Sequence, residues 1–301
     1  MLRIIGVASG FGAPDPGCAD GPRAVRDSPM SQRLAGEAAW AELVLPHGDL
    51  EPWARTADVA RRVGGRMAEA FAAGEFPVVI GGDHSCAIGT WSETSRKLAP
   101  RGPLGLLWID AHMDSHVPQT SPSHAIHGMP LAALLGQGEP AVTALAGEGP
   151  ALQPAHVCLL AARSYEPAES HLLHDLGVRI ISQKEVEQRG IEPALLDAVA
   201  RVATGTAGFG ISLDLDAIDP VEAPGVGSPA PDGLHAQPLL AALATLFDDP
   251  RLVALEIAEY NPSRDRQQVT LRLIVDLIER LAGALAARRD ATRDQLQGGD
   301  K

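Results

Sequence analysis

The sequence predicts an α/β fold with a mainly parallel sheet, and three observations lead there. Short apolar runs recur along the chain and are nearly continuous in apolar character, as strands buried on both faces are. Longer amphipathic stretches separate them, the alternation of a sheet whose strands are joined through helices. Clusters of carboxylate and imidazole side chains follow directly after several runs, at the strand ends where such sheets bind ligands.

Residues 1–7 read as the first strand; they lack the long apolar stretch and small-residue cleavage site of a signal peptide. Residues 56–73 carry Val59, Val63, Met67 and Phe71 at four-residue spacing, one face of a helix. An apolar run over 76–80 ends at Gly81-Gly82, and another over 104–109 ends at Asp110. A short helix is expected over 129–135, followed by a Gly-, Pro- and Ala-rich loop around a helical turn over 136–153. Strands over 157–161 and 178–181 come next, then a helix over 193–202 and a strand over 209–213 that ends at Asp214. A helix over 237–247 leads to a strand over 252–257, just before Glu259. Residues 269–288 repeat apolar positions with a helical period (Leu271, Leu273, Ile274, Leu277, Ile278, Leu281) and should close the domain. With no internal repeat or mid-chain linker, a single domain over 1–288 is expected, followed by a polar tail over 289–301.

Composition excludes several function classes. With 45% hydrophobic and 21% charged residues among 301, the chain is neither disordered, collagen-like nor a coiled coil. No apolar run approaches the ~20 residues of a membrane helix, so no membrane partner is expected. Thirty-eight acids against 25 bases give a net charge of −13, and Lys97, Lys184 and Lys301 are the only lysines. No basic stripe is available to neutralise phosphates, which argues against nucleic acid. Cys18, Cys86 and Cys158 are odd in number, far apart and without CxxC spacing. They suit a reducing, cytoplasmic setting, as small apolar residues or surface thiols outside any disulfide framework.

The chemistry lies in three clusters: Gly81-Gly82-Asp83-His84-Ser85, Asp110-Ala111-His112-Met113-Asp114 and Ser212-Leu213-Asp214-Leu215-Asp216-Ala217-Ile218-Asp219-Pro220. Singly, each has a plain structural reading: a histidine after a strand is often a hydrogen-bonded loop residue, and Asp-x-Asp before proline is often turn and cap chemistry. Together they bring two histidines and four carboxylates to one end of a sheet. Burying like charges costs on the order of several kcal/mol per ion unless they are neutralised. Two divalent ions resolve the conflict. Carboxylates with one imidazole per metal favour Mn²⁺, with Fe²⁺, Co²⁺ or Zn²⁺ accommodated, and a water between two such ions becomes hydroxide at neutral pH. The residues therefore point to a binuclear metallohydrolase.

In this order the three clusters resemble the ureohydrolases, the family of arginase, agmatinase and their relatives. The likeness runs from Gly21-Pro22-Arg23 to Glu259-Tyr260-Asn261-Pro262. It implies a three-layer α/β/α sandwich around an eight-stranded, mainly parallel sheet, two Mn²⁺ ions, and hydrolysis of a guanidino group to urea and an amine. Carried over by position, it assigns one metal to His84, Asp110, Asp114 and Asp214, and the other to His112, Asp110, Asp214 and Asp216. Glu259 would pair with the substrate guanidinium, a planar cation well matched by a carboxylate. His127 stands at the place of a proton-shuttle histidine, and Asp114 is the second candidate proton donor.

Residues 120–130 resemble the arginase pattern T-S-P-S-G-N-x-H-G-x-P, and Arg163-Ser164-Tyr165-Glu166-Pro167-Ala168-Glu169 looks like a version of the family's arginine-and-acid motif. The resemblance places Glu166 near the α-amino group of an amino-acid substrate, with Glu169 close by. Among the carboxylate contacts Ser123 is unchanged, but His116 and Ala125 replace asparagines and His124 replaces a glycine. Alanine offers no side-chain donor, whereas His116 can replace one contact. The expected activity is hydrolysis of L-arginine to L-ornithine and urea. The alternatives are another guanidino or formimino substrate (4-guanidinobutanoate, agmatine, formiminoglutamate) or a catalytically idle regulatory homologue. The family habit implies a homo-oligomer, trimer or hexamer.

Overall fold

Side-chain alternation along each strand divides the interior into two cores, one on each face of a single sheet. The computed structural model describes residues 1–298, with side chains described through residue 290. Eight strands, β1 (Leu2–Val7), β2 (Ala38–Trp40), β3 (Phe76–Gly81), β4 (Leu104–Ile109), β5 (Val157–Ala162), β6 (Arg179–Ser182), β7 (Gly208–Asp214) and β8 (Leu252–Ala258), lie in the order β2-β1-β3-β8-β7-β4-β5-β6. All seven pairings are parallel, so the sheet is wholly rather than mainly parallel. In β4, Leu104, Leu106 and Trp108 enter one core while Leu107 and Ile109 enter the other. The first core is closed by helices Pro52–Ala72 and Ala87–Leu98 through Val59, Val63, Met67 and Trp91. The second is closed by helices Ile191–Ala203, Ala236–Leu246 and Val269–Gly298 through Leu195, Leu239, Leu243, Ile274 and Leu281. This is the three-layer sandwich expected from the sequence.

Several elements escaped the sequence reading for identifiable reasons. Strand β2 is three half-buried residues at the sheet edge, too short for a pattern. Helix Ala87–Leu98 buries many small and polar residues, among them Gly89, Thr90, Ser92 and Thr94, so few apolar side chains mark it in the sequence. Helices Gly21–Asp27, Pro167–Leu176 and Gln183–Arg189 are short and largely polar. The last helix does not stop near 288 but runs on to Gly298, because no glycine or proline interrupts it after Gly283. Residues 299–301 of the expected tail lie outside the described residues.

The topology decides where chemistry is possible. β3, β8, β7 and β4 are consecutive in the sheet, and all end at the same edge because all are parallel. The three clusters follow β3, β4 and β7, and Glu259 follows β8. Helices press closely on these strands where glycine leaves room. A Cβ on Gly105 would lie 1.8 Å from the Val202 carbonyl oxygen, and one on Gly210 would lie 2.0 Å from the Trp91 ring. Gly210→Ala should therefore push Trp91 off the sheet and lower stability by about 1–3 kcal/mol. Urea unfolding checks this, and an unchanged midpoint would show that the ring relocates without cost.

Candidate active site

The first acid of two clusters serves both of the readings its sequence allows. Asp110 Oδ1 accepts from the His112 backbone N–H at 2.7 Å, and Asp214 Oδ1 accepts from that of Asp216 at 2.8 Å. These are the turns that bend the chain off the strand ends. Each acid's second oxygen faces inward: Asp110 Oδ2 and Asp214 Oδ2 lie 3.3 and 3.1 Å from His84 Nδ1, and Asp114 Oδ2 lies 3.1 Å from the same atom. Beside them, His112 Nδ1 lies 3.1 Å from Asp216 Oδ2 and 3.6 Å from Asp110 Oδ1. Turn chemistry and ligand geometry coexist because a carboxylate has two oxygens.

At this cluster two sets of ligating atoms emerge, His84 with Asp110 and Asp214, and Asp110 with His112 and Asp216, each set lying within 4.8 Å; a third such set, His116 with Glu166 and Glu169, lies elsewhere. The first two share Asp110. His84 Nδ1 is buried and makes no directed hydrogen bond, although three carboxylate oxygens surround it. Donor atoms that converge on a common point without bonding one another fit a cation there. The charges agree. Burial, reinforced by neighbouring acids, pushes Asp214 well above the ordinary carboxylate range, raises Asp216, and lifts Asp114 to about 6. For Asp110, burial is outweighed by hydrogen bonds with His112 and His84, which hold it below the ordinary range. Four ionised carboxylates cannot share this space unaided, and divalent cations held by these residues would neutralise them.

The structure adds residues that sequence reasoning missed. Ser212 Oγ donates to Glu256 Oε1 at 2.8 Å and lies 3.0 Å from His84 Nε2. With its proton given to Glu256, Ser212 accepts the Nε2–H of His84, which leaves Nδ1 as the atom that would present a lone pair to a bound cation. Trp91 Nε1 also donates to Glu256 at 3.2 Å, and Trp108 stacks on His84 with ring centroids 4.2 Å apart while its Nε1 donates to Asp110 Oδ2. The signal for Glu256 was present: it is a lone carboxylate in the apolar run of β8. Arg163 ties the loops together, donating to the backbone carbonyls of Asp216, Ala217 and Ala230.

Glu259 and His127 form one unit beside the cluster. Glu259 Oε1 accepts from His127 Nδ1 and from the His84 backbone N–H, both at 2.9 Å, while its Oε2 is buried without a partner. Against burial, the Glu259 charge raises His127 to about 9, and His127 in turn lowers Glu259. Asp114 and Glu259 adopt φ of +48° and +68°, strained for residues with a side chain. Backbone hydrogen bonds hold them there: Leu131 N donates to Asp114 O at 2.9 Å, and Glu259 N donates to Gly82 O at 2.8 Å.

A cleft of about 370 Å³ opens above these groups. His112, Asp114, Asp214, Asp216 and His127 line it from the cluster side, and His116, Ser123, Ala125, Glu166 and Glu169 line it farther out. His84, Asp110 and Glu259 are buried beneath. Within the cleft wall, His116 Nδ1 lies 3.0 Å from Thr120 Oγ1 and Nε2 lies 3.0 Å from Glu166 Oε2. Glu169 is raised to about 8 by burial, although it accepts from the backbone N–H of Ser115 and Glu166. His124 is exposed with φ +56°, a conformation that glycine adopts without strain.

The chain is similar to known proteins over nearly its whole length. The family model for the arginase family matches residues 1–283. The arginase of Bacillus caldovelox is 34% identical over 295 residues, covering 94% of this chain and 98% of its own. The arginase of Brevibacillus brevis is 33% identical, covering 94% and 97%. The crystal structure of arginase from Bacillus subtilis superposes with a TM-score of 0.87 at 30% identity, covering 94% and 98%.

Two outcomes follow. Mn²⁺ at about a hundred times its Kd should raise the melting temperature by roughly 5–10 °C, and chelation should reverse it. Asp214→Asn should raise the melting temperature of chelated protein by removing one buried charge, and should cancel the Mn²⁺ shift. A shift that survives the substitution would exclude Asp214 as a ligand. The second outcome concerns pH. His127 has a folded pKa raised from 6.5 to about 9, so its stabilising contribution is complete below pH 6.5 and disappears as pH rises through 9. The melting-temperature gap between wild type and His127→Gln should shrink across that window; a flat gap from pH 6 to about 9.5 would show that Glu259 does not hold the proton.

Proposed function

The chain belongs to the arginase family, and from that premise we propose that it is a metal-dependent amidinohydrolase cleaving L-arginine to L-ornithine and urea. The observation that carries this reading is the gathering of His84, His112, Asp110, Asp114, Asp214 and Asp216 at one cleft, with a buried, half-unpartnered Glu259 beneath it. We assign one Mn²⁺ to His84, Asp110, Asp114 and Asp214 and a second to His112, Asp110, Asp214 and Asp216, with Fe²⁺ or Co²⁺ as chemically competent substitutes. When bound, two such ions supply Lewis acidity and a hydroxide nucleophile at neutral pH.

The protein's own groups account for binding and proton transfer. The free oxygen of Glu259 accepts from the guanidinium, whose charge the carboxylate matches. His127, with its pKa near 9, carries a proton at neutral pH and donates it to the departing amine nitrogen, and Asp114 is the second candidate donor. At the outer end Glu166 receives the α-ammonium group and Ser123 the α-carboxylate, while Ala125 contributes no side-chain contact. That loss, with His116 engaged by Glu166, supports a second reading in which another guanidino or formimino compound is preferred. Three buried free cysteines suit a cytoplasmic setting, and the family habit supports a homo-oligomer, trimer or hexamer.

Urea release from Mn²⁺-loaded protein given arginine, agmatine and 4-guanidinobutanoate at equal concentration tests the proposal. Arginine should be hydrolysed fastest; equal rates would transfer the assignment to the second reading, and metal uptake without urea from any compound would indicate an idle homologue. Asp114→Ala and Asp216→Ala should lose metal and turnover together. His127→Ala should keep both ions and slow kcat by about 10²–10⁴. Ala125→Asn should lower the arginine KM by up to about tenfold, and an unchanged KM would count against a carboxylate contact at that position.

A further inference from the structure

At the opposite edge of the sheet, where β3 and β8 begin, a separate cavity of about 400 Å³ opens to solvent. One strand length of roughly 20 Å separates it from the cluster, since Phe76 starts β3 and the Gly81-Gly82 turn into His84 ends it. Its wall is apolar, formed by Phe71, Phe76, Leu98, Val253 and Leu285. All but Leu98 are only partly buried, so they keep apolar surface in contact with water.

The rim has the opposite sign from the rest of the molecule. In a chain of net charge −13 with three lysines, Lys97, Arg101, Arg288 and Arg289 all line this one cavity, against a single carboxylate, Glu75. Glu75 is already neutralised by Arg3 through two hydrogen bonds of 2.7 and 2.9 Å. Arg289 pairs with Glu37 at 3.1 Å, outside the cavity lining. Lys97, in the last turn of helix Ala87–Leu98, and Arg101, in the turn that follows it, make no salt bridge among the described residues. Their charges reinforce one another over an apolar wall.

We propose that this cavity is a second ligand site, which binds a small organic anion by seating an apolar group against Phe71, Phe76 and Leu285 and its carboxylate or phosphate on Lys97 and Arg101. The volume suits a small molecule. Guanidinium and ammonium groups provide charge-assisted hydrogen bonds to an oxyanion, and the phenylalanines supply apolar burial. The acidic remainder of the surface repels the same anion, which confines it to this place.

Calorimetric titration of the metal-loaded protein with 3-phenylpropionate, phenyl phosphate and phenethylamine tests the proposal. Saturable binding of one or both anions, at one per chain, is expected, and the amine should not bind. Tighter binding of the phosphate would assign a phosphoryl head group, and tighter binding of the carboxylate a carboxyl one. K97Q/R101Q, both on exposed side chains, should weaken the anion about tenfold or more, with an unchanged melting temperature as the check on folding. If the double variant unfolds, K97E alone should give the same loss. Absence of saturable anion binding, equal binding of the amine, or affinity unchanged in the variants would overturn the proposal.

Discussion

Four carboxylates gather at the ends of adjacent parallel strands, and their mutual repulsion is the constraint to which the surrounding structure answers. Each is nearly inaccessible to water, so screening does little to separate their charges. Some of the answer is local: Asp110 and Asp214 each commit one oxygen to a backbone N–H, which fixes direction as well as offsetting charge. The rest is long-range. His84 is oriented by a chain running from Glu256 through Ser212, and it is braced by the stacked Trp108. The cation sites are therefore a property of the sheet order, since the groups that orient His84 come from β7, β8 and β4.

Much of this was legible in the sequence because ligation and turn formation draw on the same short segments. A strand buried on both faces announces itself as an apolar run, and the acids that follow must leave the strand and meet a charge at the same point. What the sequence could not express was adjacency. Nothing in the residues of β8 says that it lies between β3 and β7, although this is what places Glu259 against His84. Glu256 was visible as an acid in an apolar strand, but its role required Ser212 and Trp91, 44 and 165 residues distant. Helix Ala87–Leu98 was hidden for a different reason: small and polar residues such as Gly89, Thr90, Ser92 and Thr94 make up much of its buried surface, so few apolar side chains announce it.

The histidines show how far residue type alone carries an argument. His127 and His116 both belong to one loop region and both line the cleft, yet their partners divide them. His127 faces Glu259, a nearly inaccessible carboxylate with few other compensations, and so retains a proton at neutral pH. His116 bridges Thr120 and Glu166, with the Glu169 carboxylate 3.4 Å from the same Nε2, so both of its ring nitrogens are engaged within the protein. A hydrogen bond made within the protein must be broken before the same atom can serve a substrate. An acid–base role thus follows from burial of the partner, whereas a recognition role requires an unused donor.

The same reasoning links the two edges of the sheet. Parallel strands align every carboxyl end at one edge and every amino end at the other, and this chain concentrates acids at the first and bases at the second. Cations favoured at the acidic edge and anions favoured at the basic one do not compete. The separation also weakens each site's field at the other, because the interaction of two charges falls with distance and roughly 20 Å of strand lies between them. Coupling between the edges would have to travel as displacement along β3 and β8, the two strands that touch both. Tight packing at Gly82, where an added Cβ would lie 1.8 Å from the Ser9 carbonyl, leaves β3 little room to move at its catalytic end. The structure therefore favours two ligand sites that share strands yet bind independently.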